Sequence, residues 1–378
     1  MKICFVTHKV KKGDGQGRVN YEVIVEALKQ GHEIIVISSE LSEELQNHGQ
    51  IKWIRINVKV PTVLLKYQLF ALFSAIWIWT HQKKIDLIVA NGFITYAHSD
   101  INCIHFVHSA WVKSKYHPYH DHKNVKNIYQ LLYTSLNALL ERCALKYTKQ
   151  IIAVSEQVKQ ELVQYTKIQP ERISVISNGV DLNEFYPRSV NREDFNLDLN
   201  ATYGLFAGDL KSKRKNLDTV LHAMTKVDTV NLLVLGYTEK SQYPNMARNL
   251  GLSDRVHFLG YRKDVAEIMS LADLFVFPSK YEPFSLVILE AMASGLPVIT
   301  SSRCGAVELL SENSAVVIED PEDTGTLIKV LTELVSNKER LKMMALRARE
   351  DAQKNSWNDM SCKYLQIINY NSNVLPVK

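Results

Sequence analysis

Residues 1–38 read MKICFVTHKVKKGDGQGRVNYEVIVEALKQGHEIIVIS. Ile3 to Thr7 is a continuous run of the kind that is buried on both faces of a sheet. A glycine-containing loop follows, Gly13-Asp14-Gly15-Gln16-Gly17. Beyond it Val19, Val23, Ile24, Ala27 and Leu28 fall on one side of a helix. Gly31 ends that helix, and Ile34 to Ile37 is the next apolar run. Strand, helix and strand in this order make a βαβ unit, whose strands are parallel.

The alternation continues outward from this unit. Ile85 to Ala90 and Asn102 to Val107 read as strands, and Asn127 to Tyr147 as a long helix. Ile151 to Val154 reads as a strand, with Ser155 placed to cap the helix after it, and Ile173 to Ile176 closes the series. After the connector Asn178 to Pro187 a second series begins. Its apolar runs are Tyr203 to Ala207, Leu232 to Leu235, Val256 to Leu259, Leu274 to Phe277, Pro297 to Thr300 and Ala315 to Ile318. The pattern predicts an α/β chain of two Rossmann-like, doubly wound parallel sheets in tandem, with a cleft between them. The expected domains are 1–178 and 179–356, with a terminal helix at about 357–378 packing back on the first.

The 378 residues are 46% hydrophobic and 22% charged, which excludes wholesale disorder and supports two domains of ~150 residues each. The net charge of +5 is unevenly placed. Through Val180 there are 22 Lys/Arg against 14 Asp/Glu; the remainder carries 23 against 26. A basic front half suits an anionic partner (an acidic substrate, an anionic lipid surface or nucleic acid), or is simply a solvated basic face. The five cysteines form no CxxC pair and lie mostly in apolar runs, as buried reduced thiols do. No secretory signal precedes the first strand, so a cytoplasmic location is expected. Tyr67 to Trp79, YQLFALFSAIWIW, is shorter than the ~20 residues of a spanning helix. It reads as a core helix of the first domain, whose aromatic end is a candidate for peripheral contact with the inner face of a membrane.

Three stretches carry chemistry. Glu282-Pro-Phe-Ser-Leu-Val-Ile-Leu-Glu290 follows the strand ending at Phe277. Pro283 fits a first helical position, which leaves the amides of Phe284, Ser285 and Leu286 free at a helix N-terminus, an anion site. Glu282 and Glu290 flank it, roughly 12 Å apart at ~1.5 Å per residue, and suit hydroxyls at the two ends of an extended phosphate ester. The plainer alternative is helix-capping acids. Gly208 to Leu221 puts Lys211, Lys213, Arg214 and Lys215 at another strand's carboxyl end, where cations can take the place of a metal on a diphosphate. A solvated basic loop is the alternative. His105 and His108 sit at the end of a first-domain strand, where an imidazole titrating near neutrality can poise by a reacting group. His117, His120 and His122 lack the spacing of a helical metal pair, and no metal site is expected. Gly13, Gly15 and Gly17 depart from GxGxxG and are a weak phosphate signal alone.

Together these residues resemble the retaining nucleotide-sugar glycosyltransferases of family 4, with the GT-B fold, over nearly the whole chain. The resemblance rests on the Gly15-Gln-Gly-Arg loop, GHEIIVIS, IIAVSE, ISNGVDLNEFYP, RKNLD, VHFLGYRKDV and the Glu-x7-Glu segment with its EAMASGLPVI tail. It implies that Glu282 holds donor-sugar hydroxyls and that Glu290 holds the ribose. Lys215, with Arg214 beside it, would meet the diphosphate, with backbone amides of Ser285 and Leu286. Tyr261 and Arg262 fall where the family's backbone meets the base. Gly17 would allow close approach of the first loop to diphosphate or acceptor, and His108, with His105 second, would lie near the donor sugar. The implied catalytic set is His108, Glu282 and Lys215. Asp209 stands where many relatives carry Arg, and Ser285 replaces the commoner Gly. Cys304 to Glu308 is a looser form of a Gly-rich segment.

The implied reaction moves a sugar from a nucleoside diphosphate sugar to an acceptor hydroxyl with retention, in cell-surface polysaccharide or glycolipid synthesis. No cofactor or metal is expected, a UDP-sugar is favoured over a GDP-sugar, and the partners are the donor and a glycan or glycolipid acceptor, not nucleic acid. An epimerase of the same fold, or a non-catalytic nucleotide-sugar-binding protein, is the alternative.

Overall fold

In the computed structural model, which describes residues 1–373, the chain divides into two units. One is Met1–Asn178 with the chain from Trp357 on; the other is Gly179–Ser356.

The first unit contains β1 (Lys2–Val6), β2 (Lys9–Val10), β3 (Glu33–Ser38), β4 (Glu40–Leu41), β5 (Ile51–Arg55), β6 (Leu87–Asn91), β7 (Ile101–Ile104), β8 (Gln150–Ala153) and β9 (Ile173–Val175). Seven of these form a parallel sheet in the order β5-β3-β1-β6-β7-β8-β9, and β2 pairs with β4. Ile3 sits opposite Ile34 on one side and Leu87 on the other. β1, paired on both sides, is therefore apolar and buried from Ile3 to Val6. After β1, β3 and β5 the chain crosses back to β6, so the strand order reverses between β1 and β6.

The second unit repeats the scheme with β10 (Thr202–Ala207), β11 (Val230–Leu235), β12 (Val256–Gly260), β13 (Leu274–Phe277), β14 (Val298–Ser301) and β15 (Ala315–Ile318). All pairs are parallel, in the order β12-β11-β10-β13-β14-β15. Here the order reverses between β10 and β13. In open α/β sheets the crevice at such a reversal, outside the carboxyl ends of the strands, is where ligands bind. The two basic and acidic stretches of the sequence leave from these two strands.

The helix Trp357–Asn373 packs on the helix Gly15–Lys29 of the first unit. Arg18 lies over the Trp357 ring, and Asn369 donates to Gln30 Oε1 at 3.3 Å. The expected end of this helix, beyond 373, lies outside the described residues.

Several readings need correction. The first helix begins at Gly15, not beyond Gly17, because Asp14 Oδ1 accepts from the Gly17 amide and caps it. A Cβ at Gly17 would stand 3.0 Å from Asp14 Oδ1 and 3.2 Å from the Lys11 carbonyl oxygen, so a side chain here would press on the capping loop. The strand expected over 102–107 stops at Ile104, and His108 opens a one-turn helix, His108–Trp111. Cys143 is exposed, unlike Cys4, Cys103 and Cys304. The stretch Tyr67 to Trp79 lies in the helix Val63–His81, which is only half a core element. Phe70, Ala75 and Ile78 pack into the cluster with Cys4, Val6, Ile35 and Ile37, while Leu72, Phe73, Ile76 and Trp79 are exposed.

Candidate active site

The loop after β10 and the loop after β13 are tied together before any side chain points outward. The Lys280 amide and the Ser279 hydroxyl both donate to the Arg214 carbonyl, at 2.8 and 2.9 Å. Asn216 is fully buried in the left-handed region, φ +65°. Its Nδ2 donates to the carbonyls of Pro278 (2.7 Å) and Pro321 (2.6 Å), and its Oδ1 accepts from Thr219. Asn tolerates this conformation better than most residues, and the side chain pins three segments at once. In the sequence Asn216 stands out only as an amide within RKNLD, just before a helical stripe. The turn before it, Lys213–Lys215, is closed by Ser212, whose Oγ accepts from the Arg214 amide.

This scaffold brings Lys215 and Glu282 together. Lys215 Nζ donates to Glu282 Oε2, with both side chains less than one-sixth exposed. Burial pushes the Glu282 carboxyl up, but the charges of Lys215 and Arg214 outweigh it, and the group titrates below its ordinary range. Arg214 Nη1 also donates to the Tyr281 carbonyl at 3.2 Å. The Lys215 stem runs beside Gly208 and its ammonium lies over the Phe277 ring. Gly208 is in turn crowded by Gly236, where a Cβ would sit 2.2 Å from the Gly208 carbonyl oxygen. Asp209 turns back onto its own loop, accepting from the Lys211 amide at 3.0 Å.

The acidic stretch differs from its reading in one respect. The helix is Leu286–Ala293, with Ser285 as its cap, so Pro283 and Phe284 lie upstream of the first turn. The reason is a short parallel pairing of Glu282 with Cys304. The Glu282 amide donates to the Arg303 carbonyl, the Gly305 amide to Glu282, and the Ala306 amide to Phe284. The segment Cys304 to Glu308 thus holds the acidic loop extended, a role its sequence did not announce. The free amides belong to the first turn of the later helix, starting at Leu286, and the 12 Å helical separation of Glu282 from Glu290 does not apply. Glu290 is half-buried inside this helix.

Ser285 has φ +87° and ψ +88°, the left-handed region that glycine enters freely and other residues rarely. This is the physical content of the Ser-for-Gly departure. Its side chain is buried, and Oγ finds no hydrogen-bond partner among the described residues. Tyr261 is half-exposed after β12 and stacks on Tyr237, which follows β11, with ring centroids 4.7 Å apart and planes 7° apart. Tyr237 had no sequence signal beyond being aromatic after a strand. Arg262 is engaged by Asp264, with Nε at 2.8 Å from Oδ1.

In the first unit, His105 and His108 are both held near pKa 4 by burial. The expectation of an imidazole titrating near neutrality is therefore overturned: both rings are neutral at physiological pH. His105 Nε2 and His108 Nδ1 are buried without partners among the described residues. Glu141, unremarked in the sequence, is 1% exposed and accepts from the amides of His108 (3.0 Å) and Ser109 (3.3 Å). Burial raises its carboxyl to about 7, against the lowering effect of those amides. At the β1/β6 reversal, Asn20 donates to Thr7 Oγ1 at 3.0 Å and Asn91 donates to Asn20 Oδ1 at 3.1 Å. His8 stacks on Tyr67 beside them, its pKa pushed down to about 4 by burial. His117 accepts from the Tyr119 amide and contacts Thr134. Among the described residues no group of three His, Cys, Asp or Glu side chains converges as metal ligands would.

Comparison with known proteins accords with this geometry. Residues 13–184 match the model of Glycosyltransferase Family 4, and residues 187–351 that of Glycosyl transferases group 1. The D-inositol 3-phosphate glycosyltransferase of Corynebacterium kroppenstedtii is 29% identical over 225 residues, which are 55% of this chain and 50% of that one. The chain spans about half the length of the curated relatives it matches first. Among solved structures, sucrose-phosphate synthase from Thermosynechococcus elongatus superposes with a TM-score of 0.80 at 20% identity, covering 98% of each chain. HepE of Anabaena, in complex with UDP-glucose, superposes at 0.73 and 20% identity, covering 98% of this chain and all of that one. With two parallel α/β units of this topology and both halves matched, the chain belongs to the family 4 glycosyltransferases and has the GT-B fold.

Proposed function

We propose that the protein transfers a sugar from a nucleoside diphosphate sugar, UDP-linked in preference to GDP-linked, to an acceptor hydroxyl with retention at the anomeric carbon. The observation that carries the proposal is the Lys215–Glu282 pair at the β10/β13 reversal, beside the N-terminus of the helix Leu286–Ala293. The anomeric C–O bond breaks and its electron pair goes to the diphosphate. The acceptor oxygen bonds to the anomeric carbon on the face the diphosphate leaves, and the acceptor proton passes to a departing phosphate oxygen. A diphosphate is already a good leaving group, so the demand is for positive charge where negative charge develops. Lys215, Arg214 and the first-turn amides supply it without a metal or cofactor.

In this reading Glu282 trades its lysine partner for donor-sugar hydroxyls while Lys215 turns to the phosphate. Glu290 holds the ribose, and the Tyr237–Tyr261 stack, next to Arg262, offers a face to the base. The resemblance assigns His108 to the donor sugar; as a neutral ring it holds a hydroxyl rather than moving a proton. Support for UDP comes from the fold likeness to HepE, whose structure holds UDP-glucose. The basic first half supports an acceptor on an anionic glycan or glycolipid, used in cell-surface synthesis at the cytoplasmic face of a membrane. The test is incubation with a panel of nucleotide sugars, reading nucleoside diphosphate release with and without glycolipid acceptor, and product anomer by NMR. Acceptor-dependent release of UDP with retained configuration is expected. Inversion, or conversion of the donor sugar with no acceptor present, would overturn the proposal.

A further inference from the structure

The helix Val63–His81 is apolar all round, and with the turn after it, Val63–Lys84, it is long and apolar enough to cross a membrane by composition. A helix of that kind is normally enclosed. This one has only 28% of its most apolar window buried. Phe70, Ala71, Ser74, Ala75 and Ile78 face the core, so it cannot leave the fold to span a bilayer without breaking the first unit. The opposite side presents Leu65, Leu72, Phe73, Ile76 and Trp79, each 40–50% exposed. Their spacing repeats at helical intervals and runs the length of the helix.

A second unpartnered stripe lies on a neighbouring helix. In Val125–Tyr147, Val125, Ile128, Leu132 and Leu139 are exposed, Val125 at 86% and Leu132 at 63%. The two helices touch: the Leu64 amide donates to Tyr129 Oη at 3.2 Å, and the Tyr67 and Tyr133 rings lie 6.4 Å apart. Single exposed apolar residues are ordinary, but two such stripes on adjoining helices call for a partner.

The charges around it choose that partner. Between Glu44 and Asp86 the chain has no acidic residue but carries Lys52, Arg55, Lys59, Lys66, Lys83 and Lys84. Between Asp100 and Glu141 there is one acid, Asp121, against Lys113, Lys115, Lys123 and Lys126. Lys59 and Lys66, at the start of the first helix, and Lys123 and Lys126, at the start of the second, flank the contact between them. A second copy of this chain would set lysines against lysines. An anionic bilayer surface accepts the apolar side chains below its headgroups and the ammonium groups among them.

We propose that the exposed faces of the helices Val63–His81 and Val125–Tyr147 form a docking surface for an anionic lipid bilayer, on which the first unit lies without spanning it. This deepens the glycolipid-acceptor reading; vesicle binding is scored without any transfer reaction, so either can fail alone.

The test is co-sedimentation of the full chain with phosphatidylcholine vesicles, with and without phosphatidylglycerol. Binding is expected with the anionic lipid, weakening as salt is raised. The exposed triple variant Phe73→Ser/Trp79→Ser/Leu132→Ser should bind at least about tenfold more weakly, from the loss of buried apolar area. The double variant Lys66→Glu/Lys126→Glu, which touches no apolar contact, should lose affinity to a similar degree while melting as the parent does. No sedimentation with anionic vesicles, or equal binding by the parent and both variants, overturns the proposal. So does a dimer in solution that the triple variant dissociates, which would assign the surface to a second copy.

Discussion

Replacing Ser285 by glycine should stabilise the second unit. Ser285 combines a left-handed backbone with a buried hydroxyl that has no partner among the described residues. Holding a residue with a Cβ in a sparsely populated region costs roughly 1–3 kcal/mol, and an orphaned buried hydroxyl costs roughly 1–3 kcal/mol more. Glycine removes both, but its unfolded chain is freer by roughly 0.5–1 kcal/mol. Ser285→Ala removes only the hydroxyl. The difference between the two variants isolates the backbone, and comes to about 1 kcal/mol in favour of glycine. For a domain of this size that is about 2–4 °C in melting temperature. Calorimetric scans of the parent and both variants should therefore rank glycine above alanine above serine. A glycine variant melting at or below the alanine variant would refute the argument that the turn is strained.

Other outcomes test other parts of the site. Glu141 has a carboxyl raised from 4.5 to about 7, so the folded protein holds an extra proton between those values and loses stability as pH rises through them. Glu141→Gln has no such titration; its unfolding free energy relative to the parent, from denaturant titrations, should climb from pH 4.5 to pH 8 by up to about 3 kcal/mol at 1.36 kcal/mol per pKa unit, and a constant difference would remove the buried ionisation. Glu290→Ala should mainly weaken nucleotide binding, and normal UDP affinity by titration calorimetry would contradict its ribose role. Transfer should survive EDTA, since Lys215, Arg214 and backbone dipoles carry the charge in this scheme; abolition with rescue by added divalent cation would show otherwise.

The architecture was legible because period and punctuation agree. Apolar runs of strand length alternate with helical stripes, and Ser155, read as a cap, accepts from the Val158 amide as such a cap should. Helix boundaries were less legible where tertiary pairing intervenes. Pro283 fits a first helical position locally, but the amides of Gly305 and Ala306 hold Glu282 and Phe284 extended, and the helix waits for Leu286. The stretch Tyr67 to Trp79 is apolar on every side, so composition could not tell which face the core would leave uncovered. Burial decides protonation as well as packing: His108 looks like a neutral-pH switch in one dimension, and in three its burial pushes the pKa down to about 4 and leaves the ring neutral at pH 7. Asn216 and Glu141 act on backbone groups far along the chain, contacts that no local pattern encodes.

In the proposed function Lys215 stabilises the negative charge that develops on the departing diphosphate. Single-turnover transfer from a saturating UDP-sugar to acceptor, parent against Lys215→Ala, measures that step directly, with UDP affinity taken alongside. The rate should fall by about 10²–10³-fold, as for removal of a preorganised charge-stabilising group, with affinity changed far less. An unchanged rate would contradict this role.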